Sequence, residues 1–324
     1  VQYTRNMVTA SAGADVAILL IDAKNGILPQ TRRHLALCAM LGVRDVIACV
    51  NKIDLVDYDE ARFAEIESEL RIAADAVGVN GLIVVPLSAL LGVNVVERSD
   101  ATPWYDGPSV LEALHDLDPP IAEDAFRMPV QWVVRHDDGV DDVRGLAGRI
   151  ESGTVAVGDE IVALPSGASS RIASIDVVGR SVDTASAPLS VTLQLEDDID
   201  VARGDLIAPA DDAPASASRF TATVAWLDEQ PLSVPARLEA KAGTRSVPVL
   251  VEELVERLDL ETMEHVPADS LEANDIGVVA VLAASPLVLE PYGRNRAAGS
   301  LVLIDPATNR TVAALMVDEL AVEA

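Results

Sequence analysis

Over the first 118 residues, short continuous apolar runs alternate with segments in which apolar residues recur at helical spacing. The apolar runs are residues 16–21, 46–50 and 82–87. The helical segments are residues 30–42, 57–77 and 109–117. Apolar runs without polar alternation are typical of parallel strands that helices cover on both faces. The βαβα order therefore predicts an α/β fold, with a parallel sheet between helices.

Around residues 118–120 the pattern changes to short β-rich runs separated by Gly, Pro and Asp. This regular spacing is typical of a small β-barrel. A stretch rich in Pro, Ala, Asp and Ser at residues 209–218 marks a second boundary, after which the all-β character returns. We expect three domains, namely a partial α/β domain at residues 1–120, a β-barrel at 125–210 and a further β-barrel at 217–324.

The formal net charge of −28 over 324 residues disfavours a nucleic-acid partner, because such affinity comes chiefly from Lys and Arg that neutralise phosphates. A salt-rich cytoplasm and a GC-rich genome are both open as explanations of the acidity. No apolar run approaches the roughly 20 residues that span a bilayer, and no signal peptide opens the chain. Cys38 and Cys49 lie in apolar contexts, which indicates buried thiols in a reducing compartment. We expect a cytoplasmic protein that binds neither membrane nor nucleic acid.

The sequence Asn51-Lys52-Ile53-Asp54 directly follows the second apolar run. Polar groups at the carboxyl ends of parallel strands lie where ligands bind in open α/β sheets. One aspartate can accept hydrogen bonds from both N1–H and the 2-amino group of guanine, whereas adenine offers an acceptor at N1 and no 2-amino group. We predict that Asp54 reads guanine, that the Lys52 stem lies over the base and that the Asn51 amide ties neighbouring loops together. The alternative is that Asp54 caps a helix.

The sequence Ser88-Ala89-Leu90 follows the third apolar run. A backbone N–H in this position can donate to the guanine carbonyl oxygen, which adenine lacks. Taken alone, the segment is better interpreted as an ordinary strand-to-helix turn. Together with Asn51, Lys52 and Asp54, residues 88–90 predict a nucleotide site for GTP.

The phosphate-binding half of such a site is missing from the sequence. Phosphates need a glycine-rich loop at a helix N-terminus, and no Gly-x-x-x-x-Gly-Lys-Ser/Thr sequence occurs in the chain. Because the first residue is Val1 and not methionine, we expect upstream sequence to carry this loop and the Mg²⁺ ligands. We assign no catalytic residue and no metal ligand in this chain, and we expect it to be inactive alone. The predicted fold is thus the C-terminal half of a P-loop GTPase domain followed by two β-barrels.

The opening residues 1–34 resemble the continuation of the Asp-x-Pro-Gly-His element of translation-factor-type GTPases. Within that superfamily the chain resembles the sulfate adenylyltransferase subunit 1 family, the GTPase subunits of bacterial ATP sulfurylase. The similar stretches are residues 30–34, 51–63, 88–114, 127–135, 148–167, 226–232 and 290–317. The resemblance implies that GTP hydrolysis, with Mg²⁺, drives formation of adenylyl sulfate from ATP and sulfate. It also implies a smaller catalytic subunit as the partner.

Two other functions are open at this point. A translation elongation factor shares the three-domain plan, but it must hold tRNA phosphates, which the acidic, lysine-poor barrels disfavour. The chain could also be a non-catalytic fragment whose barrels bind a partner. Among single residues, we interpret His136 as part of a polar hairpin and not a metal ligand. We interpret Trp132 and Trp226 as barrel core.

Overall fold

A computed structural model of the chain describes residues 14–43, 45–117, 125–137 and 142–321. The chain divides into two compact units. The first unit comprises Val1–Pro120 and Glu256–Pro267, and the second comprises Ile121–Val255 and Ala268–Ala324. The segment with the α/β pattern and most of the β-rich remainder therefore belong to different units.

A three-stranded parallel sheet forms the centre of the first unit. Its strands, in spatial order, are β1 (Val16–Asp22), β2 (Asp45–Asn51) and β3 (Gly81–Pro86). The helices are α1 (Pro29–Met40), a 3-10 helix at Ile53–Val56, α2 (Glu60–Ala76) and α3 (Val110–Asp116). The predicted alternation of parallel strands and helices is confirmed.

Helix α2 begins later than predicted, at Glu60 instead of residue 57. Asp57 and Tyr58 adopt left-handed conformations, with φ of 53° and 56°, so the helix cannot include them. Asp59 is the N-cap, and its carboxylate accepts a hydrogen bond from Ala61 N–H at 3.0 Å. The apolar face that the periodicity predicted is buried, and its residues are Phe63, Ile66, Leu70 and Ala73.

The first barrel of the second unit is a closed ring of six strands. The strands in this part of the chain are β4 (Met128–Asp137), β5 (Asp142–Arg149), β6 (Thr154–Ala156), β7 (Glu160–Leu164), β8 (Ala168–Val177), β9 (Arg180–Val182), β10 (Thr184–Ser186), β11 (Ser190–Leu195) and β12 (Leu206–Pro209). The ring runs β11-β5-β4-β12-β7-β8 and closes where β8 pairs with β11. Alternate side chains such as Leu146, Ile175 and Leu193 fill its interior.

The second barrel repeats this plan. The strands are β13 (Ser216–Trp226), β14 (Leu232–Ser233), β15 (Ala236–Ala242), β16 (Arg245–Leu258), β17 (His265–Val266), β18 (Ser270–Leu271), β19 (Ile276–Val288), β20 (Ser300–Asp305) and β21 (Arg310–Ala321). The ring runs β15-β20-β21-β13-β19-β16 and closes where β15 pairs with β16. Its core is separate from that of the first barrel and contains Phe220, Trp226 and Leu315.

The two tryptophans predicted to be barrel core differ in position. Trp226 is buried, which confirms its prediction, whereas Trp132 is 62% exposed, so the prediction for Trp132 was wrong. The reason is a register shift in β4 between Val130 and Trp132. A bulge of this kind interrupts the alternation of faces, so that Val130 points inward while Trp132 points outward.

A buried ion pair lies within the second unit. Arg127 donates from Nε to Glu290 Oε2 at 2.9 Å and from Nη2 to Glu290 Oε1 at 3.0 Å. The two side chains are only 2% and 4% exposed. Asp212 Oδ2 accepts a third hydrogen bond from Arg127 at 3.3 Å, and Phe126 O accepts a fourth at 2.9 Å. Burial alone would lower the pKa of Arg127, but the pairing with Glu290 raises it above its ordinary value.

Candidate functional site

The three parallel strands end at the same edge of the sheet, and their last residues are neighbours. Asp22 at the end of β1 is in register with Asn51 at the end of β2. Val50 of β2 is in register with Pro86 at the end of β3, and Leu87 N–H extends the pairing by donating to Val50 O at 2.9 Å. The strand register therefore brings together the segments that contain the two predicted guanine-binding motifs.

Asn51 connects these two segments directly. Its Oδ1 atom accepts hydrogen bonds from Ala89 N–H at 3.0 Å and from Lys52 N–H at 2.7 Å. Ile53 N–H donates to Leu87 O at 3.2 Å and adds a backbone connection between the same loops. The loop after β2 and the loop after β3 are thus held against each other.

Lys52 is held by a residue that the sequence reasoning missed. Lys52 has a left-handed backbone, with φ of 62° and ψ of 35°, and its Nζ atom pairs with Asp22 Oδ2 at 2.7 Å. This hydrogen bond holds the pKa of Asp22 below its ordinary value, against the opposing effect of burial. The sequence feature that could have indicated this role is that Asp22 directly follows the first apolar run, just as Asn51 follows the second.

Asp54 lies in the 3-10 helix Ile53–Val56, and it does not cap a helix. The N-cap of that helix is Lys52, and the N-cap of α2 is Asp59. The helix-cap alternative for Asp54 is therefore wrong. Within the part of the chain that the structure describes, the half-buried Asp54 carboxylate accepts no hydrogen bond. It remains available as an acceptor for a ligand.

The backbone N–H groups of residues 88–90 are used unequally. Ser88 N–H donates to Val93 O at 3.3 Å, and Ala89 N–H donates to Asn51 Oδ1. Leu90 N–H has no acceptor among the described residues, and Leu90 as a whole is 87% exposed. Leu90 therefore offers the free donor of this segment.

An aromatic cluster supports the turn that follows Asp54. The Trp104 indole N–H donates to Tyr58 O at 3.0 Å. Its ring lies 5.2 Å from that of Phe63 and 6.4 Å from that of Tyr105, measured between ring centroids. Burial raises the pKa of Tyr105 to about 12, and its hydroxyl is within donating distance of Pro108 O at 2.9 Å and of Val84 O at 3.2 Å. Sequence reasoning did not identify Trp104 as a support of this turn.

The structure gives no metal centre among the residues that it describes. No group of three or more His, Cys, Asp or Glu residues lies close enough to hold a metal ion within those ranges. The side chain of His136, interpreted as part of a polar hairpin, lies outside the described side chains. The helices in the described ranges are all too short or too polar to cross a membrane.

Family models match both ends of the chain. Residues 1–120 match the Elongation factor Tu GTP binding domain, and residues 219–318 match the GTP-eEF1A C-terminal domain-like family. Among solved structures, that of Sup35 complexed with GMPPNP is similar, with a TM-score of 0.56 and 23% identity over 95% of this chain and 78% of that chain. The fold is that of the translation-factor GTPases, a GTP-binding domain followed by two six-stranded β-barrels.

Sequence relatives define the family more narrowly. Sulfate adenylyltransferase subunit 1 of Alteromonas mediterranea is 41% identical over 100% of this chain and 69% of its own length. That of Bacteroides thetaiotaomicron is 40% identical over 98% of this chain and 67% of its own length. Bifunctional enzyme CysN/CysC of Mycobacterium tuberculosis is 42% identical over 98% of this chain, which spans 52% of that relative. The chain belongs to the sulfate adenylyltransferase subunit 1 family.

Proposed function

We propose that this chain is the GTP-binding subunit of a sulfate adenylyltransferase and reads guanine through Asn51, Lys52, Asp54 and residues 88–90. Family membership supports the class of enzyme. The observation that carries the base assignment is the pair of groups without partners in the described structure, namely the Asp54 carboxylate and Leu90 N–H. They lie on two loops that Asn51 joins, and guanine presents donors and an acceptor along one edge.

In the proposed complex, Asp54 accepts hydrogen bonds from N1–H and the 2-amino group, and Leu90 N–H donates to the carbonyl oxygen. Adenine would place an unprotonated N1 against the Asp54 carboxylate and would leave Leu90 N–H facing an amino group. Unpaired polar groups of this kind exclude the wrong ligand by a factor on the order of 10⁴. The apolar stem of Lys52, held at its tip by Asp22, covers the base.

This chain then supplies only the part of the site that recognises the base. Its sequence contains no phosphate loop, and the described residues contain no cluster suited to a metal. GTP is used with Mg²⁺ in such sites, where the metal neutralises charge on the phosphates. We assign no step of GTP hydrolysis to a residue of this chain.

Substitution of Asp54 tests the base assignment. Asp54→Asn supplies an amide donor that suits the 2-oxo group of xanthine, so we expect the affinity for GDP to fall about 100-fold or more and the affinity for xanthosine diphosphate to rise. Asp59→Asn is the matched control, because it removes a charge five residues away but keeps a good helix cap. The measurement is nucleotide competition on protein from the complete reading frame of the gene. Unchanged GDP affinity in Asp54→Asn would refute the assignment.

We further propose a smaller catalytic sulfate adenylyltransferase subunit as the partner, with the barrels as the binding region. The relatives are named subunit 1, which supports an assembly with a further subunit. We expect the complete protein to co-purify with this subunit and its GTPase activity to be stimulated by it. Retention on tRNA at moderate salt, without such stimulation, would favour an elongation factor instead.

A further inference from the structure

The segment from Ser88 to Val93 closes on itself. Ser88 N–H donates to Val93 O at 3.3 Å, and Val93 N–H donates to Ser88 O at 3.1 Å. Leu91 N–H donates to Ser88 Oγ at 3.3 Å, and Gly92 allows the chain to reverse with φ of +74°. The result is a short loop that presents Leu90 to solvent.

Asn94 clamps the two ends of this loop. Its side chain is fully buried, and its Nδ2 atom donates to Pro86 O at 2.7 Å and to Thr102 Oγ1 at 2.9 Å. Its Oδ1 atom accepts from Ser99 N–H at 2.8 Å. Pro86 precedes the loop and Asn94 follows it, so one amide fixes both ends. The backbone φ of Asn94 is 53°, a left-handed value that asparagine adopts more readily than most residues.

We propose that Asn94 is a positioning residue that fixes Leu90 N–H for recognition of the guanine carbonyl oxygen. This inference rests on the proposed function. Asn94 is fully buried, so it would act by fixing the backbone of the loop and not by contact with the base. Aspartate could not replace it, because a carboxylate oxygen would face Pro86 O. Alanine would leave Pro86 O and Ser99 N–H without their buried partners.

The experiment separates reading of the carbonyl oxygen from general stability. Three diphosphates are compared on the complete protein: GDP and inosine diphosphate, which both carry the 6-oxo group and N1–H, and the 2-aminopurine nucleotide, which lacks both. We expect Asn94→Ala to lower the affinity for GDP and for inosine diphosphate about tenfold each. The affinity for the 2-aminopurine nucleotide should change less than about twofold. Asn80→Ala is the control, since Asn80 is exposed beside the first residue of β3 and, among the described residues, its side chain bonds only to Gly78 O at 3.2 Å.

Thr102 provides a milder test if Asn94→Ala does not fold. Thr102→Val removes one acceptor of the Asn94 amide, and we expect about threefold weaker binding of the two 6-oxo nucleotides. Thr102→Ser should restore wild-type affinity. Equal weakening of all three nucleotides, or unchanged GDP affinity, would overturn the role of Asn94. If the unsubstituted protein itself failed to prefer GDP over ADP, the proposed guanine site would be wrong, which is a different outcome.

Discussion

The buried pair between Arg127 and Glu290 can be broken with little change of shape by Glu290→Gln. The substitution keeps the size of the side chain and removes its charge. Arg127 then stays buried, with Asp212 as its remaining carboxylate partner at 3.3 Å. Asp212 is 40% exposed, so water screens much of its charge and it compensates only partly.

The expected loss follows from this geometry. Removing one partner of a buried ion pair destabilises a protein by about 3–5 kcal/mol, because the other charge remains buried. The amide introduced by Glu290→Gln would still offer one oxygen to Arg127, so we expect about 3 kcal/mol, at the lower end of that range. The double substitution Arg127→Met with Glu290→Leu should recover most of the loss, since it leaves no buried charge of the pair behind, and the half-exposed Asp212 keeps Arg294 as its partner.

Urea unfolding followed by the fluorescence of Trp226 measures this loss, in a background where the other two tryptophans are phenylalanine. A loss of about 3 kcal/mol should lower the urea midpoint by about 1 M or more. Glu252→Gln is the matched control, because Glu252 pairs with Arg219 at 3.2 Å on the surface, where a pair contributes about 1 kcal/mol or less. If Glu290→Gln were no more destabilising than Glu252→Gln, the reasoning from burial would be refuted.

Three further predictions use other parts of the molecule. Trp104→Phe removes one indole hydrogen bond and should lower the free energy of unfolding by about 1 kcal/mol, whereas Trp132→Phe on the surface should change it by less than about 0.5 kcal/mol in the same thermal denaturation assay. Although burial acts to raise it, the pKa of Asp212 is held below its ordinary value by two arginines. The ionised Asp212 carboxylate therefore stabilises the fold fully above its unfolded pKa, and this contribution is lost as pH falls through the lower folded pKa. Asp212→Asn should reduce the loss of unfolding free energy measured between about pH 5 and pH 3. Burial raises the pKa of both Cys38 and Cys49 to about 11, so both thiols should react with a disulfide reagent at pH 8 only after unfolding in urea.

Much of the first unit could be predicted from the sequence because each element there has a local cause. Strand β2 is an uninterrupted apolar run, and α2 has one apolar face. The β-rich character of the barrels was equally visible, but their strand register was not. The bulge beside Trp132 depends on pairing between β4 and β5, and alternation along one strand cannot show it.

The residues of the candidate site also fall into those that could be predicted from the sequence and those that could not. Asn51, Lys52 and Asp54 follow a strand within a short motif, so their neighbourhood could be predicted locally. Asp22 and Trp104 could not, because their hydrogen bonds join residues 30 and 46 positions apart. Such roles depend on which separate segments meet in the folded protein, and a single sequence does not show how far apart those segments lie in space.

The ion pair between Lys52 and Asp22 has a consequence for how nucleotide binding would respond to ionic strength. Ordering a lysine side chain costs up to about 2 kcal/mol of conformational entropy, and here much of that ordering precedes any encounter with a base. The two side chains are 54% and 24% exposed, so dissolved salt weakens the pair. If the proposed guanine site is right, affinity for the uncharged base would therefore fall with added salt, because salt weakens the ion pair that orders Lys52.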